Sequence, residues 1–236
     1  MTPRVDRARA TAFSRALRAW FRANGRDLPW RRTRDPYRVL VSEAMLQQTQ
    51  VSRVVDYYER FVNRFPTLEA LASAPSRRVR ESWEGLGYYA RARNLHALAR
   101  QVADDGGLPS QPEALRALPG IGRYTAGAVA CFAFERRASL VDTNVARVLR
   151  RAFAPRADVT SARGRNKVWA IADALLPRTG KQAWTHNQAL MELGALVCTA
   201  RVARCGECPV RRHCATGGKK GHAPGSRTAE LQLQKT

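Results

Sequence analysis

Four cysteines crowd the C-terminal part of this chain: Cys198, Cys205, Cys208 and Cys214, separated by six, two and five residues. Soft thiolates in such a cluster hold zinc or an iron–sulfur centre. Zinc sites usually combine two close pairs, and here only Cys205 and Cys208 lie close in sequence. Cys131 stands apart in an apolar run and reads as core packing. His213, next to Cys214, reads as a surface residue because four thiolates already complete a ligand set.

Two carboxylates stand in opposite surroundings. Glu43 interrupts Val39-Leu40-Val41-Ser42-Glu43-Ala44-Met45-Leu46, a nearly apolar helical stretch. Burial there would disfavour its charge, raise its pKa and make it a proton donor near neutral pH, whereas on a solvated helix face it would be an ordinary surface carboxylate. Asp142 instead directly precedes a helix with apolar residues Val145, Val148, Leu149, Ala152 and Phe153. An aspartate at that position caps the helix, and the helix dipole holds it ionised. An acid and an anion set apart in this way suit glycosidic bond cleavage, which needs a donor for the leaving group and an anion facing the sugar cation.

Between two expected helices runs Leu118-Pro119-Gly120-Ile121-Gly122-Arg123. Its glycines let the backbone turn tightly and bring N–H groups close to an anion, and the next helix N-terminus adds partial positive charge. The string resembles the helix–hairpin–helix motif, which grips DNA phosphates without reading sequence.

The elements that must position these residues are helices. Apolar periodicity predicts helices over 8–23, 37–48, 51–64, 76–84, 88–104, 113–118, 123–134, 143–153, 162–176 and 183–197. Asn24-Gly25, Gly106-Gly107-Leu108-Pro109 and Pro119-Gly120 punctuate them. No alternating run argues for a strand, so the fold class is all-α. A two-lobed arrangement follows, with about 30–135 as one lobe and the N-terminal helix joining 136–214 in the other. From Ala215 onward the chain is Gly-, Lys- and Ser-rich, and 215–236 reads as a flexible tail.

Charge narrows the partners. Lys and Arg number 41 against 19 Asp and Glu, a formal net charge of +22. Lysines are few, which fits a GC-rich genome, yet that bias explains Arg over Lys and not the excess of cations over anions. The commonest partner of such a surface is nucleic acid. Tyr124 to Phe134, the longest weakly polar run, falls far short of the ~20 residues that span a bilayer. The N-terminus lacks the apolar core of a signal peptide. A cytoplasmic location is expected, where cysteines serve as ligands or free thiols more often than in disulfides.

Longer strings carry a resemblance over about residues 13–214. Trp30 through Gln50 with SEAMLQQTQ, GLGYYARARNL at 85–95, LPGIGRYTAGAV at 118–129, VDTNVARVL at 141–149 and the cysteine loop closely resemble the A/G-specific adenine DNA glycosylase (MutY) family, within the endonuclease III-like helix–hairpin–helix superfamily. The resemblance implies a 4Fe–4S cluster on Cys198, Cys205, Cys208 and Cys214. It implies that Glu43 protonates adenine at N7 and later activates water, and that Asp142 stabilises the sugar cation, assisted by Asn144 and Tyr124. Arg26, Leu28, Trp30 and Gln188 would line the pocket of the flipped base, although Leu28 and Trp30 also suit the core. Gln48, Thr49, Leu86 and Tyr88 would wedge into the duplex and meet the orphaned partner base. Gly120, Ile121, Gly122 and Arg123 would hold phosphates.

Bifunctional relatives carry a lysine where this chain has Tyr124, and that amine forms the Schiff base that leads to strand cleavage. A phenol cannot, so the resemblance implies a monofunctional enzyme, acting as a monomer on mismatched or oxidised double-stranded DNA in a bacterial nucleoid. Family members usually continue into a separate domain that helps recognise 8-oxoguanine, and the 22 residues after Cys214 are too few for one. A thymine glycosylase acting on T·G pairs is a close alternative on the same scaffold. An endonuclease III type lyase, disfavoured by Tyr124, and a non-catalytic DNA-binding module are further ones.

Overall fold

A helix that is apolar around most of its circumference must lie largely inside the protein, and Pro36–Leu46 (α2), buried from Val39 to Met45 with Arg38 exposed, is such a helix. Asp35 caps it by accepting the Arg38 N–H at 2.9 Å, and Pro36 fits the first turn, where its missing N–H costs nothing. The computed structural model describes residues 5–217, and no strand occurs among them; a lone antiparallel bridge joins Cys198 and Ala203.

The chain divides into two units. One is Asp27–Arg136; the other joins the chain up to Arg26 with the chain from Arg137 onward. In the first, α2 packs on α3 (Val51–Arg64), α6 (Ala90–Val102) and α8 (Arg123–Phe132), with α4 (Leu68–Ala72), α5 (Ser76–Ser82) and α7 (Pro112–Arg116) filling its sides. Phe61 makes edge-on ring contacts with Phe65 and Trp83 at 5.0 and 5.6 Å in its core. In the second unit, α11 (Gly180–Leu196) packs on both α1 (Arg7–Asn24) and α9 (Thr143–Phe153), while α10 (Ala162–Leu175) covers α9. Phe13 meets Phe153 edge-on at 5.0 Å. No helix among the described residues is long and apolar enough to cross a membrane.

The all-α expectation holds, with displaced ends, one further α-helix and short 3-10 turns at Pro29–Arg31 and Arg211–His213. The expected 37–48 helix stops at Leu46, because buried Arg91 takes up the carbonyls at its C-terminus. The expected 88–104 helix starts at Ala90, since Gly85, Gly87 and Tyr88 take positive φ in a turn. Helix α11 begins three residues earlier than periodicity suggests, capped by Thr179, which accepts the Gln182 N–H at 3.3 Å. Helix α4 was not expected: five residues carry no readable period, although Thr67 caps it at Ala70 N–H, 3.2 Å. The expected tail is fastened where it begins. Ala215 N–H donates to Ala152 O at 2.9 Å and Thr216 Oγ1 to Arg151 O at 2.6 Å, taking up carbonyls at the end of α9. Residues 218–236 lie outside the described residues.

Candidate active site and cysteine loop

Glu43 lies in the last half of α2, buried at 4% exposure among Leu40, Val41, Ala44 and Met45. A carboxyl is costly there unless a function retains it. In the same unit the hairpin 118–122 joins α7 to α8. Ile121 N–H closes the turn on Leu118 O at 3.2 Å, and Gly120 sits at φ +74°. A Cβ at Gly120 would come within 2.7 Å of Asn94 Cβ, so both backbone conformation and space demand glycine. Gly122 occupies the N-cap of α8 and supplies no side-chain cap. The start of α8, with Arg123 exposed beside it, is therefore a ready anion site. Tyr124 lies half-buried on the first turn.

The other unit holds Asp142 at the N-cap of α9. Its Oδ1 accepts the Val145 N–H at 2.6 Å, and its Oδ2 accepts from Asn144 Nδ2 at 3.0 Å. The cap is as the sequence suggested, and burial opposes it. Burial raises the Asp142 carboxyl above the usual carboxylate range, and the Val145, Asn144 and Arg147 groups offset only part of that. Asn144 is fixed in turn: Arg147 Nη2 donates to its Oδ1 at 2.6 Å and to Gly194 O at 2.9 Å. Arg147 Nε reaches Cys198 O at 2.8 Å, tying the start of the cysteine loop to the cap residues. Arg26 is clamped by Glu192, which accepts from its backbone N–H, Nε and Nη2 at 2.8, 2.8 and 2.9 Å. Gln188 is buried on α11, one turn before Glu192.

The four loop cysteines take part in no disulfide, and each is half-buried. Arg151 Nη1 donates to Cys198 Sγ at 3.4 Å and Gly217 N–H to Cys214 Sγ at 3.3 Å. Burial pushes the Cys208 thiol up to about 11, and the neighbouring Cys198, Cys214 and Cys205 add to the rise, while the Val210 backbone lowers it. A cationic centre that these sulfurs hold would strip such protons on binding. The donor set is soft and all-sulfur, with N–H groups aimed at two of its members, and it fits an iron–sulfur group. Among the described residues no three His, Cys, Asp or Glu side chains group so as to hold a single metal ion. Arg9 pins the loop, donating to His213 O at 2.9 Å and Ala152 O at 2.6 Å.

The remaining expected residues fall in three places. Leu28 and Trp30 are buried, Trp30 edge-on to Tyr58 at 5.5 Å, within the Asp27–Arg136 unit. Gln48 and Thr49 form the turn after α2, and Leu86 and Tyr88 the turn before α6. Tyr88 is exposed at 59%, whereas Leu86 is buried at 5% and packs inward. Three arginine- and carboxylate-based supports escaped the sequence reading: Arg91, Arg147 and Glu192. A charged residue on a helix face reads as solvated, and nothing in its spacing shows a backbone carbonyl or a distant guanidinium as partner.

Residues 41–173 match the HhH-GPD superfamily base excision DNA repair protein family. The Adenine DNA glycosylase of Rattus norvegicus is 46% identical over 220 residues, covering 89% of this chain and 42% of the relative. That of Homo sapiens is 45% identical, covering 89% and 40%. The chain thus spans about two fifths of these mammalian relatives. The Adenine DNA glycosylase of Mycolicibacterium smegmatis is 47% identical over 201 residues, covering 84% of this chain and 67% of the relative. Among solved structures, a thermostable thymine-DNA glycosylase superposes with a TM-score of 0.80 at 30% identity, over 89% of this chain and 97% of that one. A non-covalent endonuclease III–DNA complex gives a TM-score of 0.72 at 23% identity, over 91% and 98%, which shows the shared fold. By the family match over more than half its length, the chain belongs to the HhH-GPD superfamily of base excision DNA repair proteins, and by its mycobacterial relative to the adenine DNA glycosylase family.

Proposed function

We propose that this protein is a monofunctional DNA glycosylase that hydrolyses the N-glycosidic bond of adenine mispaired with 8-oxoguanine or guanine. The observation that carries the reading is Glu43, a carboxyl retained inside an apolar helix, in a chain 45–47% identical to proteins named Adenine DNA glycosylase. The Glu43 carboxyl gives its proton to N7 of the extruded adenine, so the C1′–N9 bond breaks with its electron pair leaving on the base. The Asp142 carboxylate, oriented by Asn144, stabilises the cationic sugar. Water then attacks C1′ and returns a proton to Glu43, leaving free adenine and an abasic site. Tyr124 offers no amine, so no Schiff base forms and the strand stays intact.

Hairpin residues Gly120, Ile121, Gly122 and Arg123 hold backbone phosphates of double-stranded DNA. Arg26 and Gln188 meet the extruded base, with Leu28 and Trp30 as its apolar surroundings. Gln48, Thr49 and Tyr88 meet the partner base, while Leu86, buried in the same turn as Tyr88, shapes that turn from within. Cys198, Cys205, Cys208 and Cys214 would hold a 4Fe–4S cluster whose contribution is structural, fastening the basic loop. A thymine glycosylase is the second reading, favoured by the solved thymine-DNA glycosylase that this chain covers almost entirely.

The test is single-turnover incubation with duplexes carrying A opposite 8-oxoguanine, A·G, T·G or uracil, followed by alkali. Alkali-dependent cleavage at adenine alone is the expected result. Cleavage confined to thymine in T·G installs the second reading, and cleavage without alkali overturns the monofunctional assignment.

A further inference from the structure

Two surface turns of the Asp27–Arg136 unit each carry a non-glycine residue in the left-handed region: Gln48 at φ +57° and Tyr88 at φ +50°. Each such conformation is strained for a residue with a Cβ and persists only where its surroundings over-determine it. Trp83 Nε1 donates to Gly87 O at 3.2 Å and Arg53 Nη2 to Gly85 O, both within one of the turns, but a single side chain reaches both turns. Arg91 is buried at 9% exposure, and its guanidinium fork reaches both turns. Nη1 donates to the carbonyls of Ala44 (2.9 Å), Met45 (2.7 Å) and Gln47 (2.6 Å), the end of α2. Nη2 donates to Thr49 Oγ1 (3.2 Å), Gly87 O (3.1 Å) and, more weakly, Leu86 O (3.4 Å).

The guanidinium also stands over the Tyr88 ring at 5.3 Å and the Trp83 ring at 5.5 Å. Every hydrogen-bond acceptor it uses is a carbonyl or a hydroxyl, and burial lowers its pKa. A cation buried without a carboxylate is an expensive way to hold two loops. The negative end of the α2 dipole and five carbonyls offset that cost, and only a planar fork can serve both turns at once.

We propose that Arg91 is a positioning residue for opposite-base recognition: it locks the turns bearing Gln48–Thr49 and Leu86–Tyr88 into one preset surface that meets the partner base. This rests on the proposed function, which gives Gln48, Thr49 and Tyr88 to the partner base, and adds the residue that sets the geometry of their turns. Arg91 itself touches neither base nor sugar. Presetting means that the strained turn geometry exists before DNA arrives, so discrimination does not have to be assembled during binding.

The experiment uses the full chain and two variants, Arg91→Lys and the more disruptive Arg91→Met. Lysine keeps charge and stem, but its single ammonium cannot span both turns. Hydrogen exchange of the free proteins should quicken at least about tenfold at residues 46–50 and 85–89 in both variants and stay unchanged at the 118–123 hairpin. The ratio of dissociation constants for A·G over A·8-oxoguanine duplexes should fall about tenfold, the worth of one hydrogen bond lost at the partner base. Binding to matched DNA should change far less.

A merely structural Arg91 would lower melting temperature and weaken all duplexes alike, leaving the ratio untouched; that result overturns the proposal. Exchange that stays slow in both turns of a folded Arg91→Lys protein overturns it as well. Failure of the wild-type chain to excise adenine would sink the proposed function separately, and the exchange result would still decide whether Arg91 fixes the two turns.

Discussion

Glu192 accepts three hydrogen bonds from Arg26, one from the backbone and two from the guanidinium, with its own side chain only 1% exposed. The pair raises the Arg26 pKa, chiefly through the side-chain hydrogen bond, and fixes a residue proposed to meet the extruded base. Glu192→Ala should cost about 2 kcal/mol of stability, held to that by the part-exposure of Arg26, which water can rescue. Glu192→Gln should cost less but slow adenine excision, because the amide oxygen can keep two of the three hydrogen bonds and the amide nitrogen cannot accept the third. Denaturant melts with single-turnover rates check both, and an unchanged excision rate in Glu192→Gln would detach Arg26 from the pocket.

Asp142→Asn should separate stability from activity. Asparagine still caps α9, but it removes the charge facing the sugar, so excision should fall about 10²–10³-fold or more while mismatch binding persists. Because the folded Asp142 carboxyl titrates above its usual value of 3.8, the folded state binds its proton more tightly than the unfolded chain. Its ionisation therefore costs stability as pH rises from about 3.8 through the raised value, and the cost is fully present above that. The variant should be at least as stable as the wild type at pH 7, with the advantage shrinking on acidification. A variant that melts earlier at pH 7 would show that hydrogen bonds, not burial, dominate the site.

What the sequence disclosed and what it hid divide along a physical line. Asp142 before an apolar helix and Glu43 within one are readable, because a cap and a buried stripe are local patterns in the chain. The cysteine loop is readable because ligand spacing is itself a sequence property. Arg91, Arg147 and Glu192 are not, since their partners are carbonyls or side chains brought near only by folding. The upward shift of the Asp142 carboxyl has the same origin: the cap is local, but the burial that opposes it comes from the folded unit. Leu86 looked like an exposed wedge beside Tyr88, yet the turn that exposes Tyr88 drives Leu86 into the core.

Purified protein should be yellow-brown and contain about four irons per chain when expressed with iron available. Cys205→Ser should lower folding yield or DNA affinity before it alters the bond-breaking step, because the loop is fastened to α9 through Arg147, Arg151 and Arg9. Iron analysis and single-turnover rates of the folded fraction test this. Colourless, active protein with stoichiometric zinc would replace the cluster with a zinc site.

Gly120→Val should weaken binding to matched and mismatched duplexes by the same factor, about tenfold or more. The substitution strains a backbone at φ +74° and forces a Cβ into Asn94, which displaces the turn that brings α8 amides to a phosphate. Dissociation constants at two salt concentrations check it, and the salt dependence should become shallower as a phosphate contact is lost. A loss confined to one mismatch would mean that the hairpin reads bases.

His186 lies fully buried on α11, its Nδ1 at 2.9 Å from Ser14 Oγ on α1. Burial and the nearby Arg18 lower its pKa from 6.5 to about 3. Between those values the unfolded chain binds a proton that the folded protein refuses, so stability rises with pH across this window and is lost on acidification. Each pH unit below about 6.5 should cost up to ~1.4 kcal/mol from this residue alone, until the folded imidazole itself protonates. His186→Gln keeps a neutral side chain able to bond Ser14, and it should flatten the acid limb while lowering stability at pH 7 through imperfect packing. Thermal melts of both proteins from pH 4 to pH 8 give the comparison. Parallel pH profiles would place the acid sensitivity elsewhere and show that α1 and α11 part enough to hydrate His186.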